Sequence, residues 1–303
     1  FQGASSFQQC LSSWKRPLCA SCTDCRYGSW GSSGEPWHYD PMSMSGMNTG
    51  LFGFIESMSS YCTSDSSTSA LSNSSHTFDP SLDSFYDAVN RWCDNPFCAE
   101  YSYGNISNWN TTGITNMSAL FSGERQSTCN TFNQPLNDWD VSNVENMSCM
   151  FYGCEKFNQP LDKWQTTKVT NMQCMFKCCK EFNKPLNNWD VSNSQNFYNM
   201  FKDASSFNHP LDLWDTSKVI GMEGMFYKAI SFNQPIDTTI VMRKDGTTYR
   251  AWDVSSVEYM NRMFMDCEKF NQPLNNWDVS NVKDMSLMFH DCIDFNQPLN
   301  NWD

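Results

Sequence analysis

Residues 132–156 read FNQPLNDWDVSNVENMSCMFYGCEK, and this pattern returns several times before the chain ends. The dipeptide Phe-Asn that opens the pattern begins at Phe132, Phe157, Phe182, Phe207, Phe232, Phe270 and Phe295. Five of the six spacings are 25 residues, and the remaining one, 38 residues, is one unit plus a 13-residue insertion. A fixed period of this length is typical of architectures in which successive units stack on one another.

A tryptophan column keeps the same period as the Phe-Asn dipeptide. Its members are Trp139, Trp164, Trp189, Trp214, Trp252, Trp277 and Trp302. We therefore expect a regular solenoid over residues 109–303, with these indoles stacked in one buried column. The insertion at 237–249 contains Asp245-Gly246 between β-prone flanks, which predicts a projecting hairpin. It is either a tolerated loop or a contact finger.

Each unit divides into two halves with different periodicity. Trp139 and Val141 are two residues apart and would share one face of a short strand. The residues Val144, Met147, Met150, Phe151 and Cys154 follow steps of three and four, which predict one face of a helix. Ser142 and Glu145 have the spacing of a helix capping box. The predicted fold class is therefore an α/β repeat, a leucine-rich-repeat-like solenoid with one short parallel strand and one short helix per 25-residue unit.

Polar residues also form columns in the repeat. The asparagine of each Phe-Asn dipeptide predicts a ladder of side-chain amides bonded to the backbone of neighbouring turns, with a polar ligand row as the alternative. The aspartate after most tryptophans, as in Asp140-Val-Ser142, predicts a turn bond. A calcium ladder is the alternative interpretation, and Gln165 interrupts it.

The repeat resembles a known family of surface proteins. The string from Val144 through Met147, Met150-Phe151 and Cys154 to Phe157-Asn-Gln-Pro is similar to the repeat of the BspA-like leucine-rich-repeat surface proteins. The resemblance covers residues 109–303. It implies a solenoid at a cell surface or outside the cell that serves adhesion or assembly, with no catalytic residues and no cofactor to carry over.

Residues 1–108 follow the repeat only loosely and are rich in cysteine and insertions. Seven of the chain's 15 cysteines precede residue 100, which favours an oxidising compartment. Cys19, Cys22 and Cys25 have spacings that suit either disulfides or one half of a zinc site, and we favour disulfides because a second half of such a site is not evident.

Two further sets of cysteines lie in the regular repeats. On the predicted helix, Cys149 points away from the core, as do Cys174 and Cys178, so we predict that Cys149 pairs with one of the latter two. The column three residues before the Phe-Asn dipeptide holds either Cys or Ala, and we expect its cysteines to pack like alanine as free thiols, with rung-to-rung disulfides as the alternative: Cys129, Cys154, Cys179, Cys267 and Cys292.

Five sequons make candidate N-glycosylation sites at Asn73, Asn105, Asn110, Asn116 and Asn146. A chain this rich in Asn, Ser and Thr acquires several sequons by chance. Their clustering before residue 150 is consistent with a glycan-coated first half.

Charge and motif content exclude several classes of function. The net charge is −13, which disfavours nucleic acid and anionic membranes as main partners. The sequence lacks an apolar run long enough for a membrane-spanning segment. The four histidines are scattered, and neither a nucleophile set nor a phosphate loop stands out. We therefore predict a non-catalytic interaction protein that is extracellular or at the cell surface. Its expected partners are a protein or glycan at a cell surface, copies of itself included.

The alternative is a structural subunit of an extracellular filament or cell appendage. By the repeat alignment, Phe1 and Asp303 both fall in the middle of a unit. From this phase we expect that the sequence is a portion of a longer polypeptide, or that its ends dock on a partner.

Overall fold

The computed structural model describes residues 78–79 and 84–302, and two compact units divide the chain, Phe1–Ser64 and Asp65–Asp303. All described residues belong to the second unit. Its regular elements are the helices α1 (Phe85–Asp94) and α2 (Pro96–Tyr103), two short 3-10 turns (Ile106–Asn108 and Ser127–Thr131), and the strands β1 (Thr239–Met242) and β2 (Thr248–Ala251). The rest of the described chain consists of turns and extended segments joined from one repeat to the next.

Helix α1 packs its apolar face against the first repeats. Ser84 caps the helix by accepting a hydrogen bond from the backbone N–H of Asp87. The buried residues on its inner face are Phe85, Ala88, Val89 and Trp92. The Trp92 ring lies 5.9 Å from that of Trp109, between centroids. Helix α1 therefore covers part of the aromatic core beside the first rung.

Each repeat contributes one nine-residue segment, which we call a rung, to a continuous parallel ladder. The seven rungs are residues 115–123, 145–153, 170–178, 195–203, 220–228, 258–266 and 283–291. Parallel bridges join them in chain order at Asn116, Asn146, Asn171, Asn196, Gly221, Tyr259 and Asp284.

The hydrogen bonds of one rung pair show how the ladder is built. The N–H groups of Met147, Cys149, Phe151 and Gly153 donate to carbonyls of the next rung, over N···O distances of 2.8–3.0 Å. The intervening N–H groups stay within their own rung, and Met150, for example, donates to the carbonyl of Met147. Half of the donors thus stack the rungs, and the other half close turns along each rung.

The helix predicted in the second half of each unit is wrong, because these residues form consecutive turns. Cys149 and Gly153 have φ angles of 56° and 78°, in the left-handed region that an α-helix cannot contain. The inward positions are nevertheless the predicted ones, since Val144, Met147 and Met150 are fully buried. Apolar residues spaced three and four apart are buried by this run of turns, just as they would be by a helix.

The predicted capping box and strand are also corrected. Ser142 lies in a turn rather than at the start of a helix, and its N–H donates to Oδ1 of Asp140 at 3.0 Å, so the predicted turn bond is confirmed. Trp139 and Val141 are buried but do not form a strand; the parallel pairing between repeats runs through the rungs instead. The leucine-rich-repeat-like class remains a prediction.

Aromatic columns fill the interior of the stack. The rings of Phe176 and Phe201 on adjacent rungs lie 5.6 Å apart, and those of Trp164 and Trp189 lie 6.0 Å apart. The predicted burial of the tryptophan column is confirmed for its first six members, while Trp302 is half-buried. Direct stacking of neighbouring indoles is seen for the pairs Trp164–Trp189, Trp252–Trp277 and Trp277–Trp302. Each indole also donates a hydrogen bond to a backbone carbonyl of the preceding repeat. Nε1 of Trp189, for example, donates to the Leu161 carbonyl at 3.0 Å, and the other tryptophans of the column make the equivalent bond.

The asparagine column forms the predicted ladder. Oδ1 of Asn158 accepts from the backbone N–H of Asn183 at 3.0 Å, and Oδ1 of Asn183 accepts from that of Asn208 at 3.0 Å. The same bond recurs at the other repeats of the column. Each asparagine therefore ties its own turn to the following one through a donor that would otherwise be unpaired.

Candidate interaction surfaces

The outward side chains of the rungs form a surface whose residues change from one rung to the next. We call it the ladder face, and it comprises residues 145, 146 and 148 and their counterparts on the later rungs, at 170, 171, 173, 195, 196, 198, 220, 221, 223, 258, 259, 261, 283, 284 and 286. Its bridge column reads Asn, Asn, Asn, Gly, Tyr and Asp from Asn146 to Asp284. The ladder fixes the backbone beneath, so variation in this column changes the surface without changing the fold.

A cleft of about 330 Å³ opens in the ladder face where this column changes. Its lining residues are Gln195, Asn196, Tyr198, Ile220, Gly221, Glu223 and Tyr259. Tyr198 is 43 % exposed, Ile220 47 % and Tyr259 38 %, although all three are large and partly apolar. The cleft therefore combines aromatic walls with amide and carboxylate groups.

Gly221 creates the floor of this cleft. Every earlier rung carries asparagine at this position, and Oδ1 of Asn196 accepts from the N–H of Tyr198 at 2.8 Å. A Cβ atom built on Gly221 would lie 2.8 Å from Oε2 of Glu223, so the carboxylate occupies the space of the missing side chain. The gap is one side chain wide and is lined by the Glu223 carboxylate.

Two thiols meet on adjacent rungs, beside a cation. The side chains of Cys149 and Cys174 are hydrogen-bonded, and both are free cysteines. The hydrogen bond with Cys174 lowers the pKa of Cys149 from its ordinary value to about 7, and Lys177 lowers it further, against the opposing effect of burial. The pKa of Cys174 is raised, because the same hydrogen bond holds its proton.

The structure decides part of the cysteine predictions. Of the two proposed partners it brings Cys174 to Cys149, whereas Cys178 is a separate free thiol. A Cys149–Cys174 disulfide remains a prediction. Cys129 does not pack like alanine as expected, because it forms a disulfide with Cys93 that links its repeat to α1. Periodicity misses this bond, since Cys93 lies outside the regular array. Cys19, Cys22 and Cys25 lie outside the described residues.

The remaining inward cysteines do pack like alanine. Cys154, Cys179 and Cys267 are fully buried free thiols, and Cys292 is 8 % exposed. Sγ of Cys154 contacts the Phe121 carbonyl at 3.0 Å. Burial alone raises the pKa of the Cys154 thiol far above its ordinary value, so this group stays protonated.

The insertion forms an antiparallel hairpin in which β1 pairs with β2, with Ile240 opposite Arg250 and Val241 opposite Tyr249. It is anchored to the preceding repeats through an ion pair of 2.8 Å between Arg243 and Asp215 and through the Tyr249 hydroxyl, which donates to the Leu213 carbonyl at 2.6 Å. Ile240 is 78 % exposed. The hairpin is thus held near its turn against the preceding repeats, and it presents apolar side chains to solvent.

Three of the candidate glycosylation sites are well exposed. Asn105, Asn110 and Asn116 lie at the surface, whereas Asn146 is half-buried between neighbouring rungs. In all four, Oδ1 accepts from the N–H two residues later. The same turn occurs at Asn171 without a sequon, so it is a property of the repeat and does not indicate glycosylation. Asn73 lies outside the described residues.

One group of side chains could share a metal ion. Ligand atoms of Asp266, His290 and Asp291 lie within 4.8 Å of one another on the last two rungs. His290 and Asp291 are exposed, and such surface groups are common without an ion. These three side chains alone therefore do not define a metal site.

In the described residues neither α1 nor α2 has the length and apolar content needed to cross a membrane.

Stacked rungs of one recurring unit define the class: this is a repeat protein whose core is shared between neighbouring units. The family model described as "Mycoplasma protein of unknown function, DUF285" matches residues 98–183, 160–244 and 242–303. Together these matches cover more than half of the chain, and the chain belongs to that family. Neither the curated proteins nor the solved structures yield a match.

Proposed function

We propose that the chain is a non-catalytic interaction protein, at the cell surface or outside the cell, that presents its ladder face to a partner. The observation that carries this proposal is that the inward side chains of the rungs stay the same along the stack while the outward ones vary. Inward columns repeat the same apolar residues, whereas the outward bridge column changes from Asn196 through Gly221 to Tyr259 on one shared backbone. Such a scaffold suits recognition, because surface chemistry can vary without loss of the core.

The finer assignment to the BspA-like leucine-rich-repeat surface proteins belongs to the same proposal. Its support is the similarity of the repeat string and the repeat family to which the chain belongs. The Cys93–Cys129 disulfide supports an oxidising compartment, since such bonds persist mainly outside the cytosol.

Antibody labelling of intact, unpermeabilised source cells tests the location. We expect labelling that is lost when the cells are first treated with protease, with a cytosolic protein as the negative control. Labelling that appears only after permeabilisation would refute the surface assignment.

Binding of the purified chain to intact cells tests the interaction. We expect saturable binding that unlabelled chain displaces. Absence of saturable binding would refute the proposal. Negative-stain microscopy of native material separates the alternative, because filaments built from this chain would instead assign a structural role.

A further inference from the structure

We infer that the cleft between Tyr198 and Tyr259 is a binding site for a neutral saccharide. This inference names the partner class for the ladder face and so rests on the proposed function. It depends on the shape of the cleft, on the chemistry of its walls and on the charge around it.

The shape of the cleft suits a small, ring-sized ligand. Tyr198 and Tyr259 stand on alternate rungs, and Gly221 lies on the rung between them. Adjacent strands are about 4.7–4.9 Å apart, which separates the two tyrosine rungs by about 9.5 Å along the stack. The volume of about 330 Å³ falls at the small end of ligand sites, which range over roughly 300–1,000 Å³.

The walls of the cleft match the two kinds of surface on a pyranose ring. Tyrosine offers an apolar ring face on which the C–H face of a sugar can stack, together with a hydroxyl that donates or accepts. The Gln195 and Asn196 amides and the Glu223 carboxylate supply further acceptors and donors for sugar hydroxyls. Among the residues that the structure describes, none donates a hydrogen bond to the half-buried Glu223 carboxylate. This acceptor is therefore available to a hydroxyl group.

The charge around the cleft disfavours an acidic ligand. The Glu223 carboxylate faces the gap, and Glu258 lies on the next rung in a 2.7 Å ion pair with Lys283. The Lys283 ammonium lies 5.9 Å from the centre of the Tyr259 ring, but its charge is already paired with the Glu258 carboxylate. A sialylated or sulfated sugar would meet an unpaired carboxylate at the floor, and like charges at short range repel.

The repeat itself supplies the decisive variant. Gly221→Asn restores the asparagine that the preceding rungs carry, and the φ angle of Gly221 is outside the left-handed region. The closest obstruction is the end of the flexible Glu223 side chain, so the fold should tolerate this change. The new amide fills the gap and displaces the carboxylate.

The experiment uses the full chain on an array of neutral hexose and N-acetylhexosamine oligosaccharides, with their sialylated and sulfated counterparts. Isothermal titration with the best-bound oligosaccharide follows. We expect a neutral saccharide to bind, and Gly221→Asn to weaken that binding at least tenfold. Tyr259→Asn and Tyr198→Ser should weaken the binding similarly. In both, the new residue is one that other rungs carry at the same position.

The control variant is Tyr152→Ser, which removes a half-buried tyrosine outside the cleft. It should bind within twofold of the unmodified chain, and thermal unfolding confirms that each variant is folded. The inference is overturned if neutral saccharides fail to bind, if acidic ones bind more tightly, or if Gly221→Asn and Tyr259→Asn both leave affinity unchanged. If the unmodified chain binds cells saturably but binds no neutral saccharide, the cleft assignment fails while the proposed function stands.

Discussion

Removing one tryptophan from the middle of the buried column should destabilise several repeats at once. Trp189 is 3 % exposed, stacks on Trp164 and lies 6.2 Å from the Phe176 ring. A buried aromatic side chain hides roughly 150–250 Å² of surface. At about 25 cal/mol per Å² this area corresponds to about 4–6 kcal/mol. Alanine retains a small part, so we expect Trp189→Ala to cost about 3–5 kcal/mol, as is usual for such truncations.

A second variant separates packing from hydrogen bonding at the same position. Trp189→Phe keeps most of the ring but deletes the N–H that donates to the Leu161 carbonyl. Leaving that buried acceptor unpaired should cost about 1–3 kcal/mol. The control is Leu213→Ala, which changes a side chain that is 43 % exposed and should stay within about 0.5 kcal/mol.

Urea unfolding followed by tryptophan fluorescence and circular dichroism measures these costs. Hydrogen exchange then shows their distribution. Each repeat contacts its neighbours, so faster exchange should spread to the rungs on both sides. A cost below about 1 kcal/mol for Trp189→Ala, or faster exchange limited to residues 182–206, would refute the reasoning.

Three other measurements address the thiols, the asparagine ladder and the disulfide. In the reduced protein, alkylation of Cys149 should reach half its maximal rate near pH 7, and Cys174→Ala should move this midpoint upward; an unchanged midpoint counts against the thiol pair. Asn183→Ala should cost about 0.5–1.5 kcal/mol in urea unfolding, whereas Asn183→Asp keeps the acceptor and should cost less; equal costs would show that the ladder bond adds little. Reducing the Cys93–Cys129 bond opens a loop of 36 residues and should lower stability by about 3–4 kcal/mol; an unchanged urea midpoint would contradict this.

The sequence predicts the interior of this protein well because the interior is periodic. Burial of Met147, Met150 and Phe151 follows from their spacing, and the asparagine ladder follows from an unbroken column. The backbone conformation does not follow, because a run of turns and a helix bury the same positions. The overlooked signal is the column through Gly153, Asp203, Asp266 and Asp291, since Gly and Asp are among the residues that tolerate positive φ.

The candidate cleft is harder to predict for a related reason. Gly221 looks like an ordinary departure from the asparagine column, and sequence alone does not place it between Tyr198 and Tyr259. Their proximity depends on which residues point outward from the turns, and the helical prediction assigns those directions wrongly. The Cys93–Cys129 bond similarly depends on α1, which lies outside the regular array.

The ladder also determines how the stack should respond to pulling. Its hydrogen bonds run from one rung to the next, as between Met147 and Asn171, so tension along the stack loads one rung boundary after another. Each detached rung would release a 25-residue unit, which extends by roughly 80–90 Å at 3.3–3.6 Å per residue. The boundary between residues 220–228 and 258–266 spans 38 residues and would release roughly 125–137 Å. A single molecule under tension would therefore lengthen in equal steps, with one longer step that marks the hairpin.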